Sequence, residues 1–249
     1  ISDADGSFSL MPPANNLFAQ LIRRGPTPEI VTEGVVLSYQ VEPGFEKPAG
    51  QVEFWKYLPS LFGLSRPDNT GLSGQSLSGV MPRKKEDKAF VAEKVPVVPY
   101  PAQGGYQPYP SFTIEARDML TNTLLATTRM VAPVATEMGC KTCHGGGWRK
   151  DTAGISAATA QGILAVHDRR SKTSLLALAK AGKPVLCQGC NPDPLLNAPG
   201  KAGLLNLSAA IHGFHANFLA GRGGEACGLC HPSNPQGATR FLRGVHHEA

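Results

Sequence analysis

Six cysteines at regular spacing constrain this chain more than any other feature. They form three C-x-x-C pairs: Cys140 with Cys143, Cys187 with Cys190, and Cys227 with Cys230. The first members of successive pairs are 47 and 40 residues apart. All seven histidines lie beyond residue 139, whereas all five methionines precede the first cysteine. This segregation predicts two domains: a scaffold over residues 1–139, and a segment over residues 140–249 in which the chemistry is concentrated.

Two of the pairs continue directly into a histidine, which gives the C-x-x-C-H pattern of c-type haem attachment. The two thiols bond covalently to the porphyrin, and the imidazole that follows binds the iron. We therefore expect two haem sites with these anchors and ligands: Cys140, Cys143 and His144 at the first, and Cys227, Cys230 and His231 at the second.

The middle pair is followed by Asn191 instead of histidine. Covalent attachment needs only the thiols of Cys187 and Cys190, but asparagine is a poor ligand for haem iron. Three alternatives stay open at this point: the iron takes both ligands from elsewhere, it keeps an open position, or the pair holds no haem. The expected cofactor is haem c, about three per chain, or two if the middle site is empty.

Paired cysteines also occur in structural zinc sites and in redox-active disulfides. Structural zinc sites usually separate their pairs by about 15–20 residues, whereas 43 and 36 residues separate the pairs here. A thioredoxin-like redox pair belongs to a βαβ pattern, and no such pattern surrounds these cysteines. Neither zinc nor a disulfide accounts for the many histidines, so haem is the favoured interpretation.

The supply of histidines favours bis-histidine ligation. Three six-coordinate haems need six histidines, the segment offers seven, and residues 140–249 contain no methionine. Reduction potentials should therefore be low, since the methionine ligand that raises the potential is missing. Beyond the two histidines of the attachment motifs, the candidate iron ligands are His167, His212, His215, His246 and His247.

Local patterns rank these candidates. A helix is expected from Ser208, as N-cap, to Leu219, which places His212 and His215 on neighbouring positions of one side. His167 is expected at the end of a helix over residues 157–168, where a structural role at the helix C-terminus is the alternative. For the helix pair the alternative is one buried core histidine and one surface histidine. The last two histidines lie at the chain end, where fraying is the alternative.

The predicted fold class is α+β. Residues 1–139 contain strand signals and little helix: residues 30–32 and 35–41 are β-branched, and residues 112–116 and 124–131 flank a hairpin turn at 118–123. An antiparallel β-sandwich-like domain without cysteine is expected there. Residues 140–249 read as short helices and long loops, for which porphyrins would serve as the core. The two parts are expected to dock against each other.

Composition excludes several classes of protein. With 41% hydrophobic and 17% charged residues, the chain is not a disordered tail. A net charge of +5, scattered along the chain, does not indicate nucleic-acid binding. No apolar run reaches the roughly 18 residues of a transmembrane span. The first residue is isoleucine instead of methionine, so we expect that any targeting segment has been removed.

Several runs resemble multihaem c-type cytochromes of anaerobically respiring bacteria: residues 138–144, 182–187, 210–216 and 226–232, with a Cys-free β-domain upstream. The resemblance implies electron transport in anaerobic respiration, in the periplasm or outside the cell. It also implies redox proteins or other haem proteins as partners, as a subunit of a larger complex or as a homo-polymer. Where such cytochromes have histidine, this chain has Asn191, so the ligation of the middle haem departs from the pattern.

Three functions follow from these observations. The first is an electron carrier, not an enzyme, with closely packed haems and no substrate pocket. The second is a multihaem redox enzyme whose one open iron lies at Cys187/Cys190. The third is a binding module in which the β-domain docks a partner and the haems are secondary.

Overall fold

A computed structural model describes residues 6–10, 12–105, 107, 109–132, 134, 140–150, 153–223, 226, 229 and 230. Helices and antiparallel sheets both occur, which confirms the α+β class. Ten of the described strands precede residue 140: β1 (Phe8–Ser9), β2 (Asn15–Ala19), β3 (Leu21–Arg23), β4 (Glu29–Val31), β5 (Val35–Val41), β6 (Ser78–Val80), β7 (Arg83–Lys84), β8 (Ala89–Val95), β9 (Ser111–Asp118) and β10 (Leu124–Val131).

Two antiparallel sheets form the body of the first part. One has four strands in the order β10-β9-β5-β6, and the other has three in the order β2-β8-β7. Along β5 every second side chain is buried, since successive residues of a strand point to opposite faces. Residues of both sheets meet in one hydrophobic cluster, to which Leu37 and Phe112 contribute from one sheet and Leu17 and Phe90 from the other.

The predicted hairpin is confirmed. Strands β9 and β10 pair antiparallel, with Met130 opposite Phe112 and Thr128 opposite Ile114. At the turn, Oδ1 of Asp118 accepts hydrogen bonds from the backbone of the next residues, which satisfies amides that the ladder leaves unpaired.

The expectation of little helix before residue 140 needs one correction. Helix α1 spans Phe54–Phe62 and ends at Gly63 in the left-handed conformation, with φ of 64°. Its buried face, Phe54, Trp55, Leu58 and Leu61, belongs to a second cluster that is separate from the core between the sheets. These residues follow a helical spacing that the strand signals around them obscured.

The second part consists of short elements joined by long connections. They are α2 (Cys140–His144), β11 (Trp148–Lys150), β12 (Ala153–Ile155), α3 (Ala157–Ser171), α4 (Leu175–Lys180), β13 (Val185–Leu186) and α5 (Leu207–Leu219), with a 3-10 turn at Cys187–Gly189. No helix in the described ranges is long and apolar enough to cross a membrane.

The two parts contact each other through the chain's N-terminal strand. Strand β1 pairs in parallel with β13, and Nε2 of Gln188 donates to the carbonyl of Leu10 over 2.7 Å. From the other side, Nη2 of Arg149 donates to the carbonyl of Gln51 over 2.9 Å. The predicted boundary at residue 139 borders residues 135–139, which lie outside the described ranges, and it stays a prediction.

Candidate haem-binding site

The first attachment motif forms one short helix. In α2 the two cysteines are three residues apart and therefore lie on the same side of the helix. Cys140 packs against a small cluster of Ile155, Ala160 and Leu164, whereas Cys143 is exposed. One thiol is thus fixed against the protein, and the other faces outward beside it.

Two glycines let α2 lie directly on α3. A Cβ at Gly162 would lie 2.7 Å from the carbonyl oxygen of His144, so any side chain there would displace the motif. Gly146 has a φ of +81°, and a Cβ there would overlap Oγ1 of Thr159. The hydroxyl of Thr159 in turn donates to the carbonyl of Gly145 over 2.6 Å. The backbone after His144 is therefore fastened to the start of α3.

The histidine of this motif meets a histidine of α5. The ring centres of His144 and His215 are 6.4 Å apart, and their planes are nearly perpendicular, at 81°. A metal between two imidazole nitrogens, at about 2.0–2.1 Å from each, holds the ring centres about 6 Å apart, since each nitrogen lies about 1 Å from its own ring centre. The observed separation of the two ring centres is close to this value.

Helix α5 fixes the orientation of the second imidazole. Nδ1 of His215 lies 2.8 Å from the carbonyl oxygen of Ile211, so this nitrogen has the hydrogen and donates it. Nε2 is then the nitrogen with a lone pair for a metal. A backbone carbonyl in this position is the usual outer partner of metal-binding histidines.

The surroundings of His144 favour the neutral form of its imidazole. Burial lowers the pKa of His144, and the nearby His215 lowers it further. Because only a neutral imidazole has the lone pair that binds a metal, this shift in pKa suits the role of an iron ligand.

The other described histidines lie at exposed positions. Nδ1 of His212 is 2.8 Å from the carbonyl oxygen of Ser208, the same contact that His215 makes one turn later. Nδ1 of His167 is 3.1 Å from Oγ1 of Thr173, whose hydroxyl donates to Asp168. His167 is not at the end of its helix as predicted, because α3 continues to Ser171.

The predicted N-cap of α5 is wrong. The helix begins at Leu207, and the capping residue is Asn206, whose side-chain oxygen accepts from the backbone nitrogen of Ala209 over 2.8 Å. Ser208 lies inside the first turn, where its hydroxyl is 3.2 Å from Nδ1 of His212. Asparagine and serine cap helices about equally well, so residue type alone did not separate them.

The middle pair begins a 3-10 turn, in which the backbone nitrogen of Cys190 donates to the carbonyl of Cys187. Burial raises the pKa of the Cys187 thiol to about 12. The Asn191 side chain donates to the carbonyl of Leu205 over 2.9 Å and so fastens the loop before α5 to this turn. The two thiols are not joined in a disulfide.

The first and middle pairs share their support. Cys140 and Cys187 both pack against the cluster of Ile155, Ala160 and Leu164. This cluster connects α3 to both motifs, so groups attached at the two pairs would lie near each other.

The third motif is only partly described. Cys230 is half-buried, whereas Cys227, His231, His246 and His247 lie outside the described residues. Their predicted roles stay predictions.

The donor set tests whether a haem fits. In the described ranges, no group of three or more His, Cys, Asp or Glu side chains could hold a metal ion by itself. A haem iron needs only two ligands from the protein, because the porphyrin supplies the other four. His144 and His215 at 6.4 Å, beside Cys140 and Cys143 on one helical turn, match that requirement.

The sequence interpretation missed the residues that support the motif. Gly162 and Thr159 give no sign of their role in the sequence, since it depends on how α2 crosses α3. The three consecutive glycines after His144 were a usable signal, because such a run allows close approach of the backbone.

Comparison with protein families, curated proteins and solved structures finds no match to this chain.

Proposed function

We propose that this protein transfers electrons through covalently bound c-type haems, outside the cytoplasm. The observation on which the proposal depends is the pairing of His144 with His215 beside the Cys140/Cys143 turn. In this proposal His144 and His215 would hold the iron of one haem between them. A bound haem supplies an iron that alternates between ferric and ferrous states, and the chain supplies anchors, ligands and burial.

The roles of the chain's own groups follow from their contacts. The carbonyl of Ile211 holds the ring of His215 in one orientation and increases its basicity as a ligand. The glycine contacts on α3 hold His144 in position. The shared cluster beneath Cys140 and Cys187 supports short distances between redox groups, as transfer from haem to haem requires.

The β-sandwich and the number of haems also belong to the proposal. Two sheets with a common core support a sandwich-like scaffold before the haem segment. Three pairs of cysteines support three haems, with the middle one lacking a ligand from Asn191. Redox proteins or other haem proteins are the proposed partners, with periplasmic or extracellular location because thioether attachment follows export.

The ligand pair is tested with His215→Ala and with Asn217→Ala, a control on the same helix. Asn217 is exposed, and its side chain bonds only to backbone carbonyls of α5 among the contacts described. We expect His215→Ala to convert one haem per chain from low spin to high spin in the ferric electron paramagnetic resonance spectrum, and Asn217→Ala to leave the spectrum unchanged. A spectrum of His215→Ala identical to wild type would refute the pairing.

The function itself is tested by protein-film voltammetry. An electron carrier gives reversible waves that are unaffected by nitrite, hydroxylamine or sulfite. The alternative, a multihaem enzyme, has one observation in its favour: Asn191 bonds to backbone, so the middle pair gains no ligand from it. A catalytic current with one of these substrates, abolished by Cys187→Ala with Cys190→Ala, would establish the enzyme and end the carrier proposal.

A further inference from the structure

The outer edge of β10 is open to pairing. This strand ends its four-stranded sheet, pairs with β9 on one side, and has no partner on the other side within the described part of the chain. Ala132 donates to the carbonyl of Pro110 on the β9 side over 2.9 Å. Since alternate residues of an antiparallel strand face its partner, the backbone groups of Thr127, Arg129 and Val131 face the open edge.

This edge lacks the usual protection against pairing. Natural edge strands usually contain charged side chains, especially lysine, which repel a second strand, or proline, which cannot donate a backbone hydrogen bond to it. Strand β10 has no proline, and its single charge is Arg129. That guanidinium turns back across its own sheet, where Nη2 donates to Oγ of Ser111 over 2.6 Å and lies 3.6 Å from Oε2 of Glu42.

Apolar surface continues the open edge. Ala126 and Thr128 are exposed, although their register partners Ala116 and Ile114 belong to the core. At the turn of the hairpin Leu120 is 93% exposed, and at the start of β10 Leu125 is 51% exposed. An edge with one charged residue, Arg129, beside exposed apolar residues is a surface on which a second strand is stabilised.

We propose that β10 pairs antiparallel with β10 of a second copy of this chain, across a two-fold axis. In this pairing, residues whose backbone groups face the open edge must lie opposite residues of the same kind in the second copy. The two-fold axis therefore passes through one residue of β10 and not between two residues. A centre at Thr128 sets Thr127 opposite Arg129 and Ala126 opposite Met130, whereas a centre at Arg129 would oppose two like charges.

The strand is complementary to itself in this register. The central contact is Thr128 with Thr128, a favourable cross-strand pair. Leu125 of one copy meets Val131 of the other, so the apolar start of the strand packs on its apolar end. Such a self-complementary patch is what a two-fold interface requires, and it makes a second copy the proposed occupant of this edge. Two four-stranded sheets then join into one of eight strands.

The test is sedimentation of the full haem-loaded protein over a range of concentrations. We expect a reversible monomer–dimer equilibrium at micromolar concentration. The variant Thr127→Lys places an ammonium opposite Arg129 of the second copy, and it should weaken the dimer about tenfold or more. The control Thr27→Lys makes the same change at an exposed residue of a loop and should leave the equilibrium unchanged.

Hydrogen exchange gives a second measurement that needs no variant. Amides of Thr127, Arg129 and Val131 should exchange more slowly as concentration rises, and amides of Leu37 in the central strand β5 should not change. The proposal would be overturned if the wild-type protein stayed monomeric or if Thr127→Lys left the dimer unchanged. It would also be overturned if the exchange rates of the edge amides did not depend on protein concentration. None of these outcomes depends on the haem ligation, because all these residues belong to the β-sheets.

Discussion

The two parts of this chain bury hydrophobic side chains to very different extents. Among the described residues, 27 buried hydrophobic side chains precede residue 140, and four follow it: Ile155, Ala160, Leu164 and Leu207. The second part does not lack apolar residues. It exposes large ones, among them Leu178, Leu195, Leu204, Leu205 and Phe218, and the first part exposes large apolar residues as well, so the two parts differ in how many side chains they bury. A segment of that kind gains little stability from its own side chains.

This contrast in burial indicates that the two parts of the chain are stabilised by different contacts. The first part is stable through a packed core and holds one face of the second through β1 and Arg149. In the second part, motif contacts replace a core: glycines and hydroxyls fix α2 on α3, and a carbonyl fixes His215 on α5. Under our proposal the apolar surface of porphyrins covers the exposed side chains.

The largest expected effect comes from removing one haem anchor. Cys140→Ala with Cys143→Ala should abolish one haem and expose the amides of α3 and α5 to exchange, while the amides of β5 and β9 stay protected, because only the second part depends on the cofactor. Mass spectrometry with regional hydrogen exchange measures both. Thr142→Ala, at an exposed position inside the motif, is the control. Unchanged protection of α3 and α5 without the haem would contradict the contrast between the two parts.

A core deletion should act on the first part alone. Phe112 is fully buried between the sheets, so Phe112→Ala should lower the free energy of unfolding of that part by about 3–5 kcal/mol. In the haem-free chain, Phe218→Ala should cost less than about 0.5 kcal/mol, since this ring is 69% exposed. Denaturant titrations followed by regional exchange compare the two. Equal losses would mean that both parts are packed alike.

A smaller effect on stability is expected where α2 packs against α3. Gly162→Ala sets a Cβ against the carbonyl of His144 and should destabilise the second part by about 1–3 kcal/mol. Gly213→Ala, in α5, meets nothing within 4 Å and should stabilise by about 0.5–1 kcal/mol through helix propensity. Thermal unfolding of the haem-loaded variants measures both. Matching stabilities would show that α2 does not depend on its approach to α3.

Periodicity predicted three strands of the four-stranded sheet, β5, β9 and β10, but none of the strands of the sheet β2-β8-β7. The bounds of β5 match the predicted Val35–Val41, and the hairpin turn lies where its polar residues indicate. Helix α1 was missed because strand signals flank it and Pro59 lies inside it, although its buried residues follow a helical spacing. The pairing of β1 with β13 joins residues far apart in the chain, and no local pattern indicates it.

In the second part, motif spacing predicts which residues are candidate haem anchors, but it does not predict how the helices that contain the histidines cross. The C-x-x-C-H run names His144, but only the crossing of the helices brings His215 to it and not His212, three residues earlier. Likewise the interaction of Asn191 with Leu205 depends on a loop whose path no periodicity defines. Side chains that act on backbone across such loops leave no regular signal in a sequence.

Covalent haem attachment is measured by the intact mass of the exported protein, followed by peptide mapping. Our account predicts a mass above the 26.3 kDa of the polypeptide by three haem groups. It predicts that the peptide containing Cys140 and Cys143 bears one of them by two thioether bonds, with an absorption spectrum of haem c. A polypeptide of unmodified mass, or one that binds zinc at these cysteines, would contradict the account.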